Sequence, residues 1–382
     1  MTGAYDADVI VVGGGPAGST AAALVAKSGL RTVLLDRETF PRDKACGDAV
    51  PLSCFRVLRD LGLPQSTFQG VYPIDQLLLK GPLGSSLRFP LRSDPDAANV
   101  IISRHEFDYV LYKNALDSGA ECRIINVNAP IVEEGKVVGV RGKADRQNVE
   151  LRAKVVIAAD GATSAIARAL GSRQPREDRW AVALRGYVET ERELDNTMEF
   201  VFLDKIQPGY AWFFPIGKHS ANIGVGMRSD HYKRQSKTLT DALDYYCQTP
   251  SVRDVVGDHK VTDIKTWSLP IFTPDLKRVF DGAMLVGDAG GFINPITGAG
   301  IYPALVTGSY AAQTAIAAIA AGDVSARGLA HYDALWKAKL GSDLRRATTL
   351  HNILAPVPSL LDVLLFIGRN VPALVPRALG KV

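Results

Sequence analysis

The chain has 382 residues, 47% hydrophobic and 22% charged, enough for two domains or one large α/β domain with an inserted sheet. Its net charge of +4 comes from dispersed Lys and Arg rather than a basic run interleaved with aromatics, which argues against nucleic-acid binding. The four cysteines, Cys46, Cys54, Cys122 and Cys247, have irregular spacing, no CxxC pair and no His at ligand distance, so no metal site is expected and the thiols read as those of a reduced, cytoplasmic protein.

The first residues, MTGAYDAD, carry neither a basic stretch nor a cleavage pattern, so a secretory signal is not expected. Residues 8–12 (DVIVV) read as a buried strand that runs into Gly13-Gly14-Gly15-Pro16-Ala17-Gly18. An Ala-rich helix to about Ser28 follows, then a strand over 31–35 that ends in Asp36. A glycine cluster alone is a weak nucleotide signal, but strand, glycines, helix, strand and acid in this order make it strong. Gly13 permits the tight turn, Gly15 lets the backbone approach a pyrophosphate, and Gly18 lets helix and strand pack closely. The helix N-terminus at Pro16 and Ala17 then faces the phosphates, and Asp36 is placed to accept from ribose hydroxyls. This stretch does not separate NAD from FAD.

Ser103-Arg104 opens a helix that runs to Gly119, with Arg104 set to contact a pyrophosphate or ribose. A strand over 155–159 ends in Asp160-Gly161 and leads to a helix through Arg168; alone, this Asp-Gly pair is a turn. Further strands are expected at 77–79, 180–188, 199–203, 210–214, 221–225 and 265–269, with a helix over 241–247. Tyr210, Trp212 and Phe214 alternate at period two, so one strand face carries all three. Such a stripe is ordinary sheet core unless a cofactor site lies opposite it.

Residues 283–286 (AMLV) form another short buried strand, followed by Gly287-Asp288 and then by Asn294-Pro295-Ile296-Thr297-Gly298-Ala299-Gly300, which opens an Ala-rich helix over 301–321. Asp288, at a strand end, suits ribityl hydroxyls. The turn Gly298, Ala299, Gly300 presents free N–H groups and a positive dipole end, which stabilise the negative pyrimidine edge of a reduced flavin. That arrangement favours FAD over NAD. The apolar stretches 311–321 and 360–367 are too short or too polar-flanked to span a bilayer. The tail is apolar over 351–368 and flanked by Arg345, Arg346, Arg369, Arg377 and Lys381. It reads as a helical cap on the cofactor domain or a partner subunit, with peripheral docking on an anionic membrane as the other reading.

With these residues in place, the chain resembles the geranylgeranyl reductase family, within the p-hydroxybenzoate hydroxylase type of FAD proteins, over nearly its whole length. The fingerprint at 13–18, Ser103-Arg104, Asp160-Gly161 and Gly287-Asp288 with 294–300 belong to the whole superfamily. Phe40-Pro41-Arg42-Asp43-Lys44-Ala45-Cys46-Gly47-Asp48 and Tyr210-Ala211-Trp212-Phe213-Phe214-Pro215 are narrower. The resemblance implies an α/β, Rossmann-like FAD-binding domain in segments 1–70, 99–178 and 276–340, an inserted mixed or antiparallel substrate sheet from 71–98 and 179–275, and a helical region over 341–382. It also implies FAD contacts from Arg37, Lys44, Cys46, Gly47 and Pro295, beside those of Gly13, Gly15, Gly18, Asp36, Arg104, Asp160, Gly161, Asp288 and the 298–300 turn.

In that family, reduced FAD delivers hydride to a C=C bond of a prenyl-type chain, with Tyr210, Trp212 and Phe214 implied as the tunnel wall and Tyr210 and Trp212 beside the reacting bond. An isolated alkene has no carbonyl to polarise, so catalysis falls to alignment, exclusion of water and a proton donor. Cys46 is the candidate donor, and Arg42 and Lys44 would favour its thiolate if they project alongside. Cys54, Cys122 and Cys247 are left as core residues, ahead of a Cys46–Cys54 disulfide or a thioether to the flavin. No second nucleotide fingerprint is visible, so electrons come from an external donor such as NAD(P)H, ferredoxin or a deazaflavin. The rival readings are an FAD monooxygenase of a small organic substrate and a lipid-binding flavoprotein without turnover. A halogenase is disfavoured, because YAWFFP lacks the double-tryptophan, Ile-Pro form of that family.

Overall fold

The structure is a computed structural model that describes residues 5–172 and 176–370. Its first sheet is built around Ala7–Val12, which pairs in parallel with Thr32–Asp36 on one side and Gln147–Ala158 on the other. The full order is Val279–Phe280, Ala283–Leu285, Gln147–Ala158, Ala7–Val12, Thr32–Asp36, Glu121–Ile124, parallel except at its first strand. A strand buried on both faces reads as a continuous apolar run rather than an alternation, and DVIVV is such a run. Val9, Val11, Leu34, Val155 and Ile157 point into one core, while Ile10, Val12, Val33, Leu35 and Val156 point into the other.

The first core lies under the helices Pro16–Lys27, Ile301–Ala321 and His331–Leu354. The second is covered by an antiparallel ribbon of Asn126–Glu133 and Lys136–Ala144 against the long strand Gln147–Ala158, together with the helix Ala165–Ala169. Small residues let two of these helices touch: a Cβ on Gly308 would overlap the backbone of Ala17, and one on Gly287 would lie 3.2 Å from the Ala17 methyl. The N-termini of Pro16–Lys27 and Ile301–Ala321 are thereby drawn to the same end of the sheet. Ile301–Ala321 is long and apolar enough to cross a membrane by length and composition, at mean hydropathy 1.3. The sequence expectation covered only its stretch 311–321, as too short or too polar-flanked; the whole helix is longer, and in the fold it is a core helix, 56% of its apolar window buried.

The second sheet is mixed, in the order Thr262–Pro270, Trp180–Glu189, Ser220–Arg228, Gly209–Gly217, Thr197–Val201, Gln76–Lys80, Ser86–Pro90. Its pairs are antiparallel except Thr197–Val201 with Gln76–Lys80. Helices Leu239–Cys247, with a capping box at Thr238 and Asp241, and Pro250–Val256 cover one face. The other face carries the aromatic stripe and turns toward the cofactor sheet. The expected strands are present and mostly longer, except that 199–203 is shifted to Thr197–Val201. The edge strand Ser86–Pro90 and the ribbon over 126–144 were missed, because half-exposed strands carry too few apolar residues for a clear alternation.

The tail packs where the sequence did not put it. Helix Leu360–Asn370 lies on Ser86–Pro90 of the second sheet, with Leu361 and Leu365 joining the aromatic cluster. Asp362 fixes it, accepting from Leu83 N at 3.1 Å, Ser85 N at 3.2 Å and Ser85 Oγ at 2.5 Å. Arg377 and Lys381 lie outside the described residues.

Candidate active site

Two helix N-termini frame a shared space. Pro16–Lys27 begins after Gly15 with no side-chain cap, and Ile301–Ala321 begins after Gly300, again with none. Uncapped N-terminal N–H groups hold anions. Gly13, at φ +101°, has no room for a side chain against Ala159, and Gly18 has none against Gly13 itself. At Gly15 the nearest atom to an added Cβ is the Arg42 guanidinium, 3.7 Å away, so a cation faces the glycine turn.

Asp36 accepts Gly14 N–H at 2.6 Å and Glu38 N–H at 2.9 Å, one on each oxygen, and both oxygens keep a lone pair for a sugar. Arg37 is exposed and pairs with Glu38 at 3.4 Å. Asp288, in the short turn Gly287–Gly290, lies 3.4 Å from Lys44 Nζ. Asn294 Oδ1 accepts from Ile296 N and Thr297 N, which shapes the loop through Pro295 into the positive-φ Gly298, Ala299 and Gly300. Two free helix ends and the cations Arg42 and Lys44 supply the donors, and two strand-end carboxylates the acceptors, that a dinucleotide with an anionic ring needs.

Asp160 and Arg104 do other work as well. Asp160 caps Ala165–Ala169, accepting from Ser164 Oγ at 2.6 Å and Ala165 N at 2.8 Å, while Gly161 at φ +76° faces open space. Burial pushes the Asp160 carboxyl up against these hydrogen bonds. Arg104 is buried and grips Asp108 with two bonds of 2.7 Å, and Arg42 reaches the same carboxylate at 3.1 Å.

The aromatic stripe faces this frame. Ring centroids lie 6.2 Å apart for Tyr210 and Trp212 and 6.3 Å for Trp212 and Phe214. Phe200, 5.1 Å from Tyr210 and 5.0 Å from Phe214, widens the wall, and Phe202 extends it at 5.9 Å from Tyr210; neither was singled out in the sequence. The Tyr210 hydroxyl donates to Thr297 O at 2.6 Å, tying the wall to the glycine turn. An added Cβ on Gly47 would sit 2.8 Å from the Phe214 ring, so the Cys46-Gly47 backbone lies directly on the wall.

Behind that contact is a buried polar cluster that the sequence reading also missed. Trp212 Nε1 donates to Asn222 Oδ1 at 2.8 Å, and Asn222 Nδ2 donates to Cys46 O and to Asp48 Oδ2, both at 2.8 Å. Tyr187 OH donates to Asp48 Oδ2 at 2.7 Å, and Arg104 N to Asp48 Oδ1 at 3.3 Å. Below it Asp43 bridges Arg185 at 2.8 Å and Lys265 at 2.6 Å. Burial opposes the Asp43 charge, but those two cations still hold its carboxyl below the usual range.

The field expected at Cys46 is corrected. Arg42 turns to Asp108 and the Phe40 ring, and Lys44 to Asp288 and the Trp267 ring, so neither drives the thiol to ionise. Burial pushes the Cys46 thiol above its usual range, opposed by the Arg104 guanidinium and by an N–H bond from Asp48. It is therefore a protonated thiol whose anion, once formed, has two donors waiting. Cys46, Cys54, Cys122 and Cys247 are all free, and Cys54 is fully buried.

Fold and site together define an FAD-dependent oxidoreductase, and the FAD binding domain family matches residues 6–338. Digeranylgeranylglycerophospholipid reductase 2 of Methanopyrus kandleri is 31% identical over 354 residues, covering 89% of this chain and 84% of the relative. The menaquinone reductase of Mycobacterium tuberculosis is 34% identical over 319 residues, covering 80% and 76%. A solved geranylgeranyl bacteriochlorophyll reductase-like protein from Thermoplasma acidophilum superposes with TM-score 0.86 at 28% identity, over 95% of this chain and 91% of that one. A flavin-dependent brominase superposes at 0.79 with 24% identity, over 98% and 93%, and shares the fold. The chain belongs to the geranylgeranyl reductase family of FAD proteins.

Proposed function

We propose that the protein reduces C=C bonds in the isoprenoid chain of a membrane lipid, either the prenyl chain of a glycerophospholipid or the tail of a quinone. The observation that carries this reading is the aromatic wall of Tyr210, Trp212, Phe214, Phe200 and Phe202 lying against Cys46-Gly47 and the 297–300 turn. Bound FAD supplies the hydride. Gly13, Gly15, Pro16, Ala17 and Gly18 would hold its pyrophosphate with Arg42 opposite, Asp36 and Arg37 would serve its ribose, and Lys44, Asp288, Pro295, Gly298, Ala299 and Gly300 would serve its ribityl and ring end. Arg104 and Asp160-Gly161 hold the surrounding segments in place.

The wall binds an alkene through its apolar rings and excludes water from it. Cys46 Sγ holds the proton that the second carbon needs, and Arg104 with the Asp48 N–H steadies the thiolate that remains. Reducing equivalents come from an external donor, NAD(P)H or ferredoxin. The outward side of Leu360–Asn370 exposes Val363, Leu364, Phe366 and Ile367, with Arg369 on the same helix, and we assign it to a lipid surface from which the substrate enters.

The test is anaerobic. FAD-loaded protein is bleached with dithionite and mixed with a geranylgeranyl glycerophospholipid or with menaquinone. Reoxidation of the flavin together with hydrogen added to the chain by mass spectrometry supports the reading. An absolute requirement for oxygen makes the protein a monooxygenase, and no reoxidation with either lipid makes it a binding protein.

A further inference from the structure

Alongside the wall, on the same face of its sheet, a cavity of about 500 Å³ opens to solvent between Ser103, His105, Asp263 and Lys265. Asp48 and Tyr187 border it from within. Asp48 is unusual in three ways: it has no exposed surface, it takes a left-handed backbone at φ +61°, and no Lys or Arg side chain forms an ion pair with it among the described residues. Its partners are Tyr187 OH, Asn222 Nδ2 and the Arg104 main-chain N–H. Asp adopts this backbone more readily than most residues, and here three donors from separate segments hold its carboxylate in place. On its other flank, Asn222 Nδ2 bridges Asp48 Oδ2 and the Cys46 carbonyl, both at 2.8 Å, and the Arg104 guanidinium and the Asp48 N–H oppose the rise that burial imposes on the Cys46 thiol. Asp48 thus stands between a solvent cavity and the thiol, with a hydroxyl at the cavity end.

We infer that Asp48 is the proton reservoir of the site, refilled from the cavity through Tyr187 and emptied into Cys46 after each reduction. The inference rests on the alkene-reductase reading and on Cys46 as the donor. As hydride reaches one alkene carbon, the π bond breaks, the Cys46 S–H bond breaks and its proton bonds to the other carbon, leaving a thiolate. The Asp48 carboxylic acid then gives its proton to sulfur and becomes a carboxylate, and cavity water returns a proton to it through the Tyr187 hydroxyl. No net charge accumulates. The groups that face Asp48 set its readiness: burial pushes its carboxyl up to about 6, while Tyr187, Asn222, Arg185 and Arg104 pull the other way. Arg185 is itself occupied by Asp43, and its guanidinium lies over the Tyr187 ring at 4.3 Å. The carboxyl therefore exchanges protons in the physiological range.

The experiment uses the full FAD-loaded chain, reduced anaerobically and mixed with a geranylgeranyl glycerophospholipid in micelles. For Asp48→Asn the first flavin reoxidation slows less than about threefold, whereas later turnovers slow by about tenfold or more, within the usual range for a lost general acid. Formate, small enough to enter the cavity, restores the later turnovers. Tyr187→Phe removes only the solvent end and gives the same split more weakly; it decides alone if Asp48→Asn does not fold. A second readout needs no turnover: alkylation of Cys46 by iodoacetamide, followed on its peptide by mass spectrometry, inflects near pH 6 in the parent and loses that inflection in Asp48→Asn. First and later turnovers falling equally, no effect of formate, or an unchanged inflection overturns the inference. A parent that never reoxidises with the lipid overturns the substrate reading instead.

Discussion

The proposed cofactor cradle and the proposed substrate wall are built on opposite principles. The cradle is made mostly of backbone: glycines at 13, 15, 18, 298 and 300 and two uncapped helix ends, with two strand-end carboxylates beside them, each specified within a few consecutive residues. The wall is made of side chains from separate strands, and its position depends on bonds to Thr297, Asn222 and the Gly47 backbone. Backbone sites tolerate no added atom but ask little of their neighbours. Side-chain sites tolerate exchange but fail when the packing beneath them shifts.

That contrast can be broken by substitution. Phe214→Ala empties space between Phe200, Trp212 and Gly47 and lowers unfolding stability by about 4 kcal/mol, as large aromatic truncations do, while flavin affinity stays within twofold, about the noise of the measurement. Denaturant melts and flavin-fluorescence titration separate the two; a matching loss of flavin affinity removes the distinction. Gly15→Val gives the mirror image. Its Cβ meets only Arg42, so the apo fold survives, but FAD binding weakens by about 3 kcal/mol, the worth of one or two hydrogen bonds to a charged group.

The remaining tests sharpen the boundary between the regions. Asp362→Asn leaves Ser85 and Leu83 donors poorly matched beneath the last helix and costs about 2 kcal/mol, seen as earlier proteolysis of that helix with the cradle intact. The smallest effect is at His351, whose Nε2 is buried without a partner. Burial, with Arg228 and Arg179 close by, pushes it down to about 4. Because the folded value lies below the unfolded one, the unfolded chain takes up the proton first, and stability is lost as pH falls from 6.5 toward 4. That loss amounts to about 1 kcal/mol after solvent screening, and His351→Gln flattens it in pH-dependent melts.

The same contrast explains what could be read from the residues. DVIVVGGGPAG declares a cradle because strand, turn and helix are contiguous and each glycine answers a local steric demand. The period-two spacing of Tyr210, Trp212 and Phe214 likewise gave one face correctly. Asp48, Tyr187 and Asn222 come from three distant segments, and no local pattern announces their meeting. Arg42 and Lys44 closely precede Cys46 in the chain yet point to Asp108 and Asp288, since proximity in sequence does not fix direction outside a regular element. Phe200 and Phe202 required knowing that Thr197–Val201 pairs with Gly209–Gly217. The docking of the last helix on the substrate sheet depended on Asp362, an acid that composition assigns to the surface.

The hydrogen bond from Tyr210 to the Thr297 carbonyl has a thermodynamic meaning of its own. It makes one backbone turn answerable to two sites. On the reading proposed above, any free energy by which bound flavin steadies that turn is shared in equal measure by a substrate lying on the Tyr210 ring, by reciprocity.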